Sequence, residues 1–508
     1  MTTEKREIDW MTMLIPFAIV IAMMAVFMIV PDQSKNVVDT LRGFFGDTIG
    51  IYYPILAIGC VLITLYLALT PKYADVKLGD IEKPQYSNFK WGTMIFTSTM
   101  AADIMFYSLI EWALYGGEQH VQDLGGLQMW APTFTLFHWG PLAWGFYVIL
   151  AVCFAFMIHV RQRPRQRFSE ACRPLLGNKV DGFWGKVIDV TAIFAVVCAT
   201  ATTFSLATPL LTNAMGSVFG FTPTTGITIL VLLLICAVYT ITVLFGLTGI
   251  SKLAGICSYL FFAILLYFLF LGGETQYIIE TGFQSVGNLV QNFIGLSTYM
   301  DPLRENGFAQ NWTVYYWAYW LVWCVATPFF IAIISKGRTI RNVVFGSFGW
   351  GLAGTYMSFI ILGNYGLAQQ MKHGVDAIGH IGNGGEMYEA ILMIFDTLPL
   401  PWLALLLLTI TMIAFYSTTL DGITYVTSSY SYKKISPDEE PSRKIRGFWS
   451  IMLILLPIAL LFAENSLYSL QGVTIIAAFP VGILLILIVI SFFKDFNSWA
   501  TVEELKKR

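Results

Sequence analysis

The longest uncharged stretches decide what this 508-residue chain can fold into. Residues 11–30, MTMLIPFAIVIAMMAVFMIV, contain no ionisable side chain. A helix needs about 20 apolar residues to cross the hydrocarbon core of a bilayer. The run is too long for the core of a signal peptide and no small-residue cleavage site follows it, so we interpret it as a retained membrane span.

Further apolar windows follow the first along the chain. They lie near residues 51–70, 93–113, 132–160, 187–211, 226–249, 254–272, 313–335, 342–366, 400–430, 446–464 and 471–493. Charged residues make up 12% of the chain, whereas soluble domains carry roughly 25%. The sequence therefore predicts an all-α polytopic membrane protein with twelve transmembrane helices.

The distribution of positive charge predicts which side of the membrane each loop faces. With the N-terminus inside, only Lys35, Arg42, Arg304 and Lys372 of the 30 Lys and Arg residues fall in outer segments. Cytoplasmic loops carry such an excess of Lys and Arg, and one missed span in the middle would destroy it. We expect a multi-pass protein of the plasma membrane with both termini in the cytoplasm.

Motif searches exclude several classes of function. The chain has no G-x-x-x-x-G-K-[ST] phosphate loop, no H-E-x-x-H and no G-x-S-x-G, which argues against ATP hydrolysis and against the common hydrolytic enzymes. The seven cysteines are odd in number and lie mostly in apolar runs, so a disulfide framework is not expected. The net charge of −2 and the lack of a basic domain give no indication of nucleic-acid binding.

One span begins with an unusually aromatic stretch, TVYYWAYWLVW at residues 313–323. At about 100° per residue, Trp312, Tyr316, Tyr319, Trp320 and Trp323 share one arc of a helix. An interfacial aromatic belt explains the outer rings. It does not explain the rings two turns deeper, for which core packing and a ligand-binding wall both remain open.

A second aromatic stretch, FHWGPLAWGFY at residues 137–147, lies in the other half of the chain. It carries Trp139, Trp144 and Tyr147 around a Gly-Pro pair that loosens the helix. Two aromatic span ends that face each other can enclose a quaternary ammonium ion, because each ring face attracts a cation by about 0.5–2 kcal/mol.

The segments NWTVYYWAYWLVW…ISKGRTIR (311–341) and FHWGPLAW (137–144) resemble the signature segments of the betaine/choline/carnitine transporter family over essentially the whole chain. The resemblance implies a secondary active transporter, not an enzyme, with a LeuT-type core of two inverted five-helix repeats and alternating access. Family members are commonly homotrimers, with an outer amphipathic helix, here 283–296, at the interface. The implied parts are residues 1–92 (cytoplasmic N-terminus and two peripheral helices), 93–272 (first repeat), 273–312 (outer segment), 313–493 (second repeat) and 494–508 (cytoplasmic tail).

The resemblance also implies a substrate site. Its substrate-binding residues are Trp139, Trp144, Tyr147, Trp320, Trp323, Tyr319, Met100 and Asp103. Trp312 matches an outer aromatic position on the substrate's access path. Tyr319 departs from the pattern, because many members carry a second Trp there.

Asp103, in TSTMAADIMFYSLIEW (97–112), is the most informative departure. Betaine-selective members carry a glycine-rich break in this segment, and Asp103 replaces one of those glycines. An acid near the middle of a membrane is by default a functional hypothesis. It can pair with a substrate cation, carry a proton or be a protonated structural acid. The first alternative favours choline or another methylated amine over betaine or carnitine. Glu111 is interpreted as structural.

The stretch FYSTTLDG (415–422) bears on ion coupling. Thr418 and Thr419 match the hydroxyl pair of the family's sodium site, with the carbonyl of Phe415 nearby, and sodium-independent exchangers instead place an Arg where this chain has Cys257. We therefore expect sodium-coupled transport of a quaternary or methylated ammonium compound (choline, glycine betaine, carnitine or a related methylamine) and no other cofactor. Proton coupling and substrate exchange are the alternatives, and an amino-acid symporter or an ion channel is more remote.

Overall fold

The computed structural model describes residues 7–245, 247–435, 439–462 and 467–507. In this part of the chain the regular structure is helical, and the extended pairings are two isolated antiparallel bridges, Ile8–Tyr432 and Lys77–Thr339. The all-α prediction is thereby confirmed. The orientation prediction also uses Lys5, Arg6 and Arg508, which lie outside the described residues.

The helices follow one another with short connections. In the first half they are α1 (Trp10–Ile29), α2 (Pro31–Arg42), α3 (Tyr52–Leu69), α4 (Asn88–Thr97), α5 (Ala102–Gly116), α6 (Leu127–His138), α7 (Pro141–Ala155), α8 (Phe183–Phe219), α9 (Thr225–Phe245) and α10 (Leu247–Leu266). In the second half they are α11 (Thr275–Thr298), α12 (Val314–Trp323), α13 (Thr327–Ile334), α14 (Ile340–Ser358), α15 (Asn364–Lys372), α16 (Met387–Phe395), α17 (Pro401–Tyr430), α18 (Arg443–Phe462) and α19 (Leu467–Lys507).

Shorter helical segments join or extend these helices. One-turn helices lie at Pro71–Ala74, Gln119–Asp123, Phe168–Ala171, Arg173–Leu176, Gly177–Asp181 and Ala377–Gly382. Wider π-helical turns lie at Gly43–Thr48, Phe156–Val160, Tyr267–Leu271, Ala309–Thr313 and Phe359–Gly363.

The helices have the length and composition of membrane spans. Among the described residues, eight helical stretches are long and apolar enough to cross a bilayer, and three bent helix pairs raise that number to as many as eleven. A shorter apolar helix, Thr225–Ile241, lies between two of them in the sequence. The chain is therefore a polytopic membrane protein.

Burial separates a helical core from a periphery. The most apolar window of Leu127–Val160 is 94% buried, whereas that of α1 is only 28% buried. α8 packs against α17, α18 and α19, and α12 packs against both α8 and α19. The broken helices and α8 thus form the interior of the protein, and α1 lies outside them.

Two predicted spans are broken by a sharp bend, and the span near 132–160 is interrupted at residues 139–140 between α6 and α7. The span near 93–113 divides into α4 and α5, which meet at 66°, and the span near 313–335 divides at residues 324–326 with a bend of 53°. Helix α19 continues through residues 494–507, which the sequence analysis assigned to a tail. Helix α11 is longer than the predicted 283–296 and turns by 110° from the helix before it.

The arginine-rich loop after α7 is neutralised by acids. Arg163 donates to Asp495 on α19 at 2.6 Å, and Arg173 donates to Asp181 at 2.8 Å. The side-chain hydrogen bond from Arg173 holds the pKa of Asp181 below its ordinary value. The Arg163–Asp495 pair connects the loop to the extended end of α19.

Candidate functional site

The break between α4 and α5 opens the backbone without a glycine. Three consecutive hydroxyls bond to carbonyl oxygens three residues earlier: Thr97 to Met94 at 3.1 Å, Ser98 to Ile95 at 2.6 Å and Thr99 to Phe96 at 2.7 Å. These bonds satisfy carbonyls at the end of α4, as short polar side chains do when they compete with a helix. The next helix, α5, begins at Ala102, which places Asp103 in its first turn.

Glycines place two of the tryptophans. Gly140 separates α6 from α7, and a Cβ there would lie 2.4 Å from the carbonyl oxygen of Leu136. Trp139 therefore caps the C-terminus of α6 at a point where the next residue must be glycine. A Cβ on Gly351 would lie 2.4 Å from the Trp144 ring, so α14 approaches α7 closely enough to hold that indole in place.

The broken helices surround one cavity of about 500 Å³. Of the residues suggested by the sequence, it is lined by Met100, Asp103, Trp139, Trp144, Tyr147, Tyr319, Trp320, Trp323, Thr418 and Thr419. Two do not line it: the side chain of Phe415 is fully buried elsewhere, and Trp312 lies beyond the aromatic cluster.

Trp320 is the centre of the aromatic cluster. Its ring centroid lies 4.8 Å from that of Tyr147, 5.6 Å from that of Trp139 and 5.8 Å from that of Trp144. The planes of these three rings are inclined to Trp320 by 56–69°. Side chains from α12 and from the α6–α7 segment thus meet as one wall, which we call the aromatic cluster (Trp139, Trp144, Tyr147 and Trp320).

Most indole nitrogens of the cavity lack a protein acceptor. Within the described residues, the buried Nε1 atoms of Trp144, Trp320 and Trp323 have no hydrogen-bond partner. Trp139 is different, because its Nε1 donates to Glu111 Oε2 at 2.7 Å. An unpaired buried donor is costly, and these three nitrogens are also inaccessible to water in this structure.

Asp103 is a nearly isolated acid, with 6% of its surface exposed. Its Oδ2 accepts a hydrogen bond from the Tyr319 hydroxyl, and its Oδ1 has no partner among the described residues. The charged or titratable side chains that interact with it are tyrosines, and no described lysine, arginine or histidine pairs with it. A positive charge in the cavity would therefore lie beside a carboxylate that has no described cationic partner.

Glu111, interpreted from the sequence as structural, bonds to partners that the sequence did not indicate. Besides accepting from Trp139, it accepts from the Tyr115 hydroxyl at 2.5 Å, and Tyr115 Oη lies 2.7 Å from His138 Nδ1. His138 Nε2 in turn lies 3.0 Å from the hydroxyl of Thr313. This fully buried chain holds the Trp139 indole and connects α5 and α6 to the turn before α12. Glu111 and His138 could have been noticed in the sequence, because an acid and a histidine are unusual inside apolar runs.

The proposed sodium ligands lie on α17 beside the cavity. Thr418 Oγ1 donates to the carbonyl oxygen of Phe415 at 3.0 Å, and Cys257 lies within side-chain hydrogen-bonding contact of Thr418. Thr419 also lines the cavity. The oxygens named from the sequence are thus neighbours, in an arrangement that self-capping of a helix by threonine also produces.

The cavity continues past the aromatic cluster to residues that the sequence analysis did not single out. Gln166, Asp421 and Arg446 line this end, and so does the exposed Glu440. Arg446 donates to Asp421 and thereby joins α18 to α17. On the opposite side of the cluster, Trp312 Nε1 donates to Glu118 Oε1 at 2.7 Å.

Comparison with known proteins agrees with this architecture. The family model described as "BCCT, betaine/carnitine/choline family transporter" matches residues 11–501. This chain belongs to the BCCT family. An "Uncharacterized transporter YeaV" of Escherichia coli (strain K12) is 27% identical over 447 residues, which cover 87% of this chain and 91% of that protein.

Membership in the BCCT family makes the chain a membrane transporter of the betaine/carnitine/choline type and not an enzyme. The family resemblance noted from the sequence is confirmed. The roles of individual residues, the solute and the coupling ion do not follow from family membership alone.

Proposed function

We propose that this BCCT member is a secondary active transporter of a quaternary or methylated ammonium compound of the choline type. The observation that carries the proposal is the placement of Asp103, whose Oδ1 is unpaired among the described residues, in the same cavity as the aromatic cluster. A methylated cation cannot satisfy many hydrogen-bonding groups, but ring faces and a carboxylate both attract it.

The electrostatics of the cavity favour a cation over a zwitterion. An opposite charge about 4 Å from Asp103 contributes about 4 kcal/mol at an effective dielectric constant of about 20. A substrate carboxylate near Asp103 would be repelled by a similar amount. A carboxylate can also accept a hydrogen bond from a substrate hydroxyl. Choline has both the cation and the hydroxyl, whereas betaine and carnitine add a negative charge.

We propose that the core has the LeuT-type inverted-repeat architecture with twelve spans, and that substrate moves by alternating access. The repeats are residues 93–272 and 313–493, preceded by 1–92, separated by the outer segment 273–312 and followed by 494–508. Support comes from the first span of each repeat, since both are broken: α4–α5 by 66° and α12–α13 by 53°. Transporters of this kind place substrate at such breaks near the midplane.

We propose that the cavity is open toward the cytoplasm, with both termini on that side. It extends to the exposed Glu440, in a segment that the charge distribution assigns to the cytoplasm. The buried Glu111–Tyr115–His138 chain closes the opposite side. Trp312 belongs to the outer access path in this arrangement, and Trp323 belongs to the inner one.

We propose sodium as the coupling ion, held by Thr418, Thr419 and the carbonyl of Phe415. Sodium is a hard cation that prefers oxygen ligands, and these oxygens lie beside the cavity. Proton coupling is the second candidate, because Asp103 has no described cation partner and can carry a proton itself. Exchange is less well supported, since Cys257 supplies no positive charge at the position that exchangers fill with Arg.

Uptake of labelled choline into proteoliposomes tests the substrate and the ion together. We expect choline to compete more strongly than betaine, carnitine or trimethylamine, and we expect accumulation to be lost when potassium replaces sodium. Full accumulation in potassium under a proton gradient would show proton coupling, and transport only by counterflow would show exchange. If none of the four compounds competed, the proposed substrate class would be wrong.

We propose a homotrimer that is assembled through α11. Four apolar residues of this helix are 56–85% exposed and recur at helical spacing: Ile279, Phe283, Val290 and Ile294. The double variant Phe283→Glu/Val290→Glu is expected to convert trimers to monomers in detergent, measured by light scattering. Leu303→Glu adds a charge at an exposed position outside this stripe. It should leave the mass of the oligomer unchanged. A trimeric mass for the double variant would contradict the assignment.

A further inference from the structure

The hydroxyl of Tyr319 lies between two other polar groups from different helices. It donates to Asp103 Oδ2 on α5 and lies 2.6 Å from Thr203 Oγ1 on α8. We propose that Tyr319 is a positioning residue for Asp103: its hydroxyl keeps the carboxylate charged and fixes its orientation beside the cavity. The inference deepens the proposed function, on which it rests.

Proton counting gives the three groups a direction. A tyrosine hydroxyl has one proton, so when it donates to Asp103 it can only accept from Thr203. The chain Thr203→Tyr319→Asp103 therefore runs toward the acid. Hydrogen bonds aligned in this way strengthen one another. If Asp103 takes up a proton at Oδ2, that oxygen becomes a donor and the direction of the chain reverses.

Backbone N–H groups of Asp103 and Ile104 also interact with the carboxylate, but the surroundings of Asp103 make the bond from the Tyr319 side chain important. Its interacting titratable neighbours are Tyr147, Tyr315, Tyr319 and Tyr416. Of these, Tyr319 is the one whose hydroxyl donates to the carboxylate in the described structure. The side chain of Tyr319 is 2% exposed, so water cannot readily replace its hydroxyl. Removing the hydroxyl would leave both carboxylate oxygens without a side-chain donor.

The ring and the hydroxyl of Tyr319 have roles that can be tested separately. Its ring lines the cavity together with Trp320, and a purely aromatic role would survive loss of the hydroxyl. A role through Asp103 would not. The two roles can therefore be distinguished by Tyr319→Phe, which keeps the ring and removes only the oxygen.

Tyr315→Phe is a matched control for Tyr319→Phe. Tyr315 lies one turn away on α12, is fully buried and also has a bonded hydroxyl, 2.6 Å from that of Tyr107. It does not line the cavity. Thr203→Val is a second, milder variant, because it leaves the Tyr319–Asp103 bond intact but removes the group that supports it.

The experiment measures choline binding to the purified full-length protein by quenching of its tryptophan fluorescence, over a range of pH. We expect Tyr319→Phe to raise the Kd at neutral pH by about tenfold, the effect of one hydrogen bond to a charged group. As the pH is lowered, Tyr319→Phe should lose choline binding at a higher pH than the wild type does. The reason is that a hydrogen bond donated to a carboxylate favours its charged form. Thr203→Val should shift binding in the same direction by less, and Tyr315→Phe should leave Kd within about twofold.

Introducing Tyr319→Phe into an Asp103→Asn background measures the coupling between the two residues. We expect Tyr319→Phe to change Kd there by less than about twofold, because the acid it positions is gone. If Tyr319→Phe behaves like Tyr315→Phe in the wild-type background, or has the same effect with and without Asp103, the positioning role is wrong. Failure of the proposed function looks different: the wild type itself would bind no methylated ammonium compound.

Discussion

Trp320→Leu is expected to weaken uptake of a trimethylammonium substrate by at least about tenfold, the size of one or two lost ring contacts with a desolvated cation. Trp320 touches the other three members of the aromatic cluster, so its loss removes the common wall. The measurement is the KM for labelled choline in proteoliposomes, normalised to the amount of folded protein.

Trp317→Leu is the control that separates loss of packing from loss of the cage. Trp317 lies on the same helix and is fully buried, but its ring contacts Phe137 and His138 and does not line the cavity. We expect less folded protein from this variant and an unchanged KM. If both variants raised KM equally, the effect of Trp320 would be one of packing alone.

Asp103→Asn is expected to reduce choline uptake by about a hundredfold, because it removes one partner of a buried charge pair. Asn retains the shape of the side chain, so the loss reports on charge. Asp103→Gly removes the charge and also frees space, and we expect it to shift preference from choline toward betaine.

The measurement is the ratio of choline to betaine inhibition constants in the wild type and in both variants. Asn serves as the control for Gly, since any gain for betaine that requires space will appear only in the glycine variant. An unchanged ratio in Asp103→Gly, with normal choline uptake in Asp103→Asn, would show that Asp103 is a structural acid.

The membrane class and much of the cavity lining could be predicted from local patterns in the sequence. Long apolar runs define helices, and the spacing of Trp320 and Trp323 places both on one face of α12. A shared arc does not by itself show which rings reach the cavity. Trp312 shares the arc but lies about 12 Å higher along the helix axis at about 1.5 Å per residue, and its indole binds Glu118 outside the cavity.

The break between α4 and α5 and the polar connections could not be read from local patterns. No glycine or proline marks the break after Thr97, where hydroxyl-to-carbonyl bonds replace helical ones. The bond from Trp139 to Glu111 joins residues 28 positions apart, and the Tyr319–Asp103 bond joins residues 216 apart. Such pairs depend on how helices pack, which the sequence of one helix does not contain.

The central claim is that ring faces and a carboxylate bind the positive charge of a methylated ammonium ion. It is tested most directly by comparing choline with 3,3-dimethylbutan-1-ol, its uncharged carbon analogue, as inhibitors of labelled choline uptake by the wild-type protein. The two molecules have nearly the same shape, so only charge distinguishes them. We predict inhibition by choline at concentrations at least about a hundredfold lower than by the alcohol. Equal inhibition would show that the cavity recognises shape alone and would contradict the account.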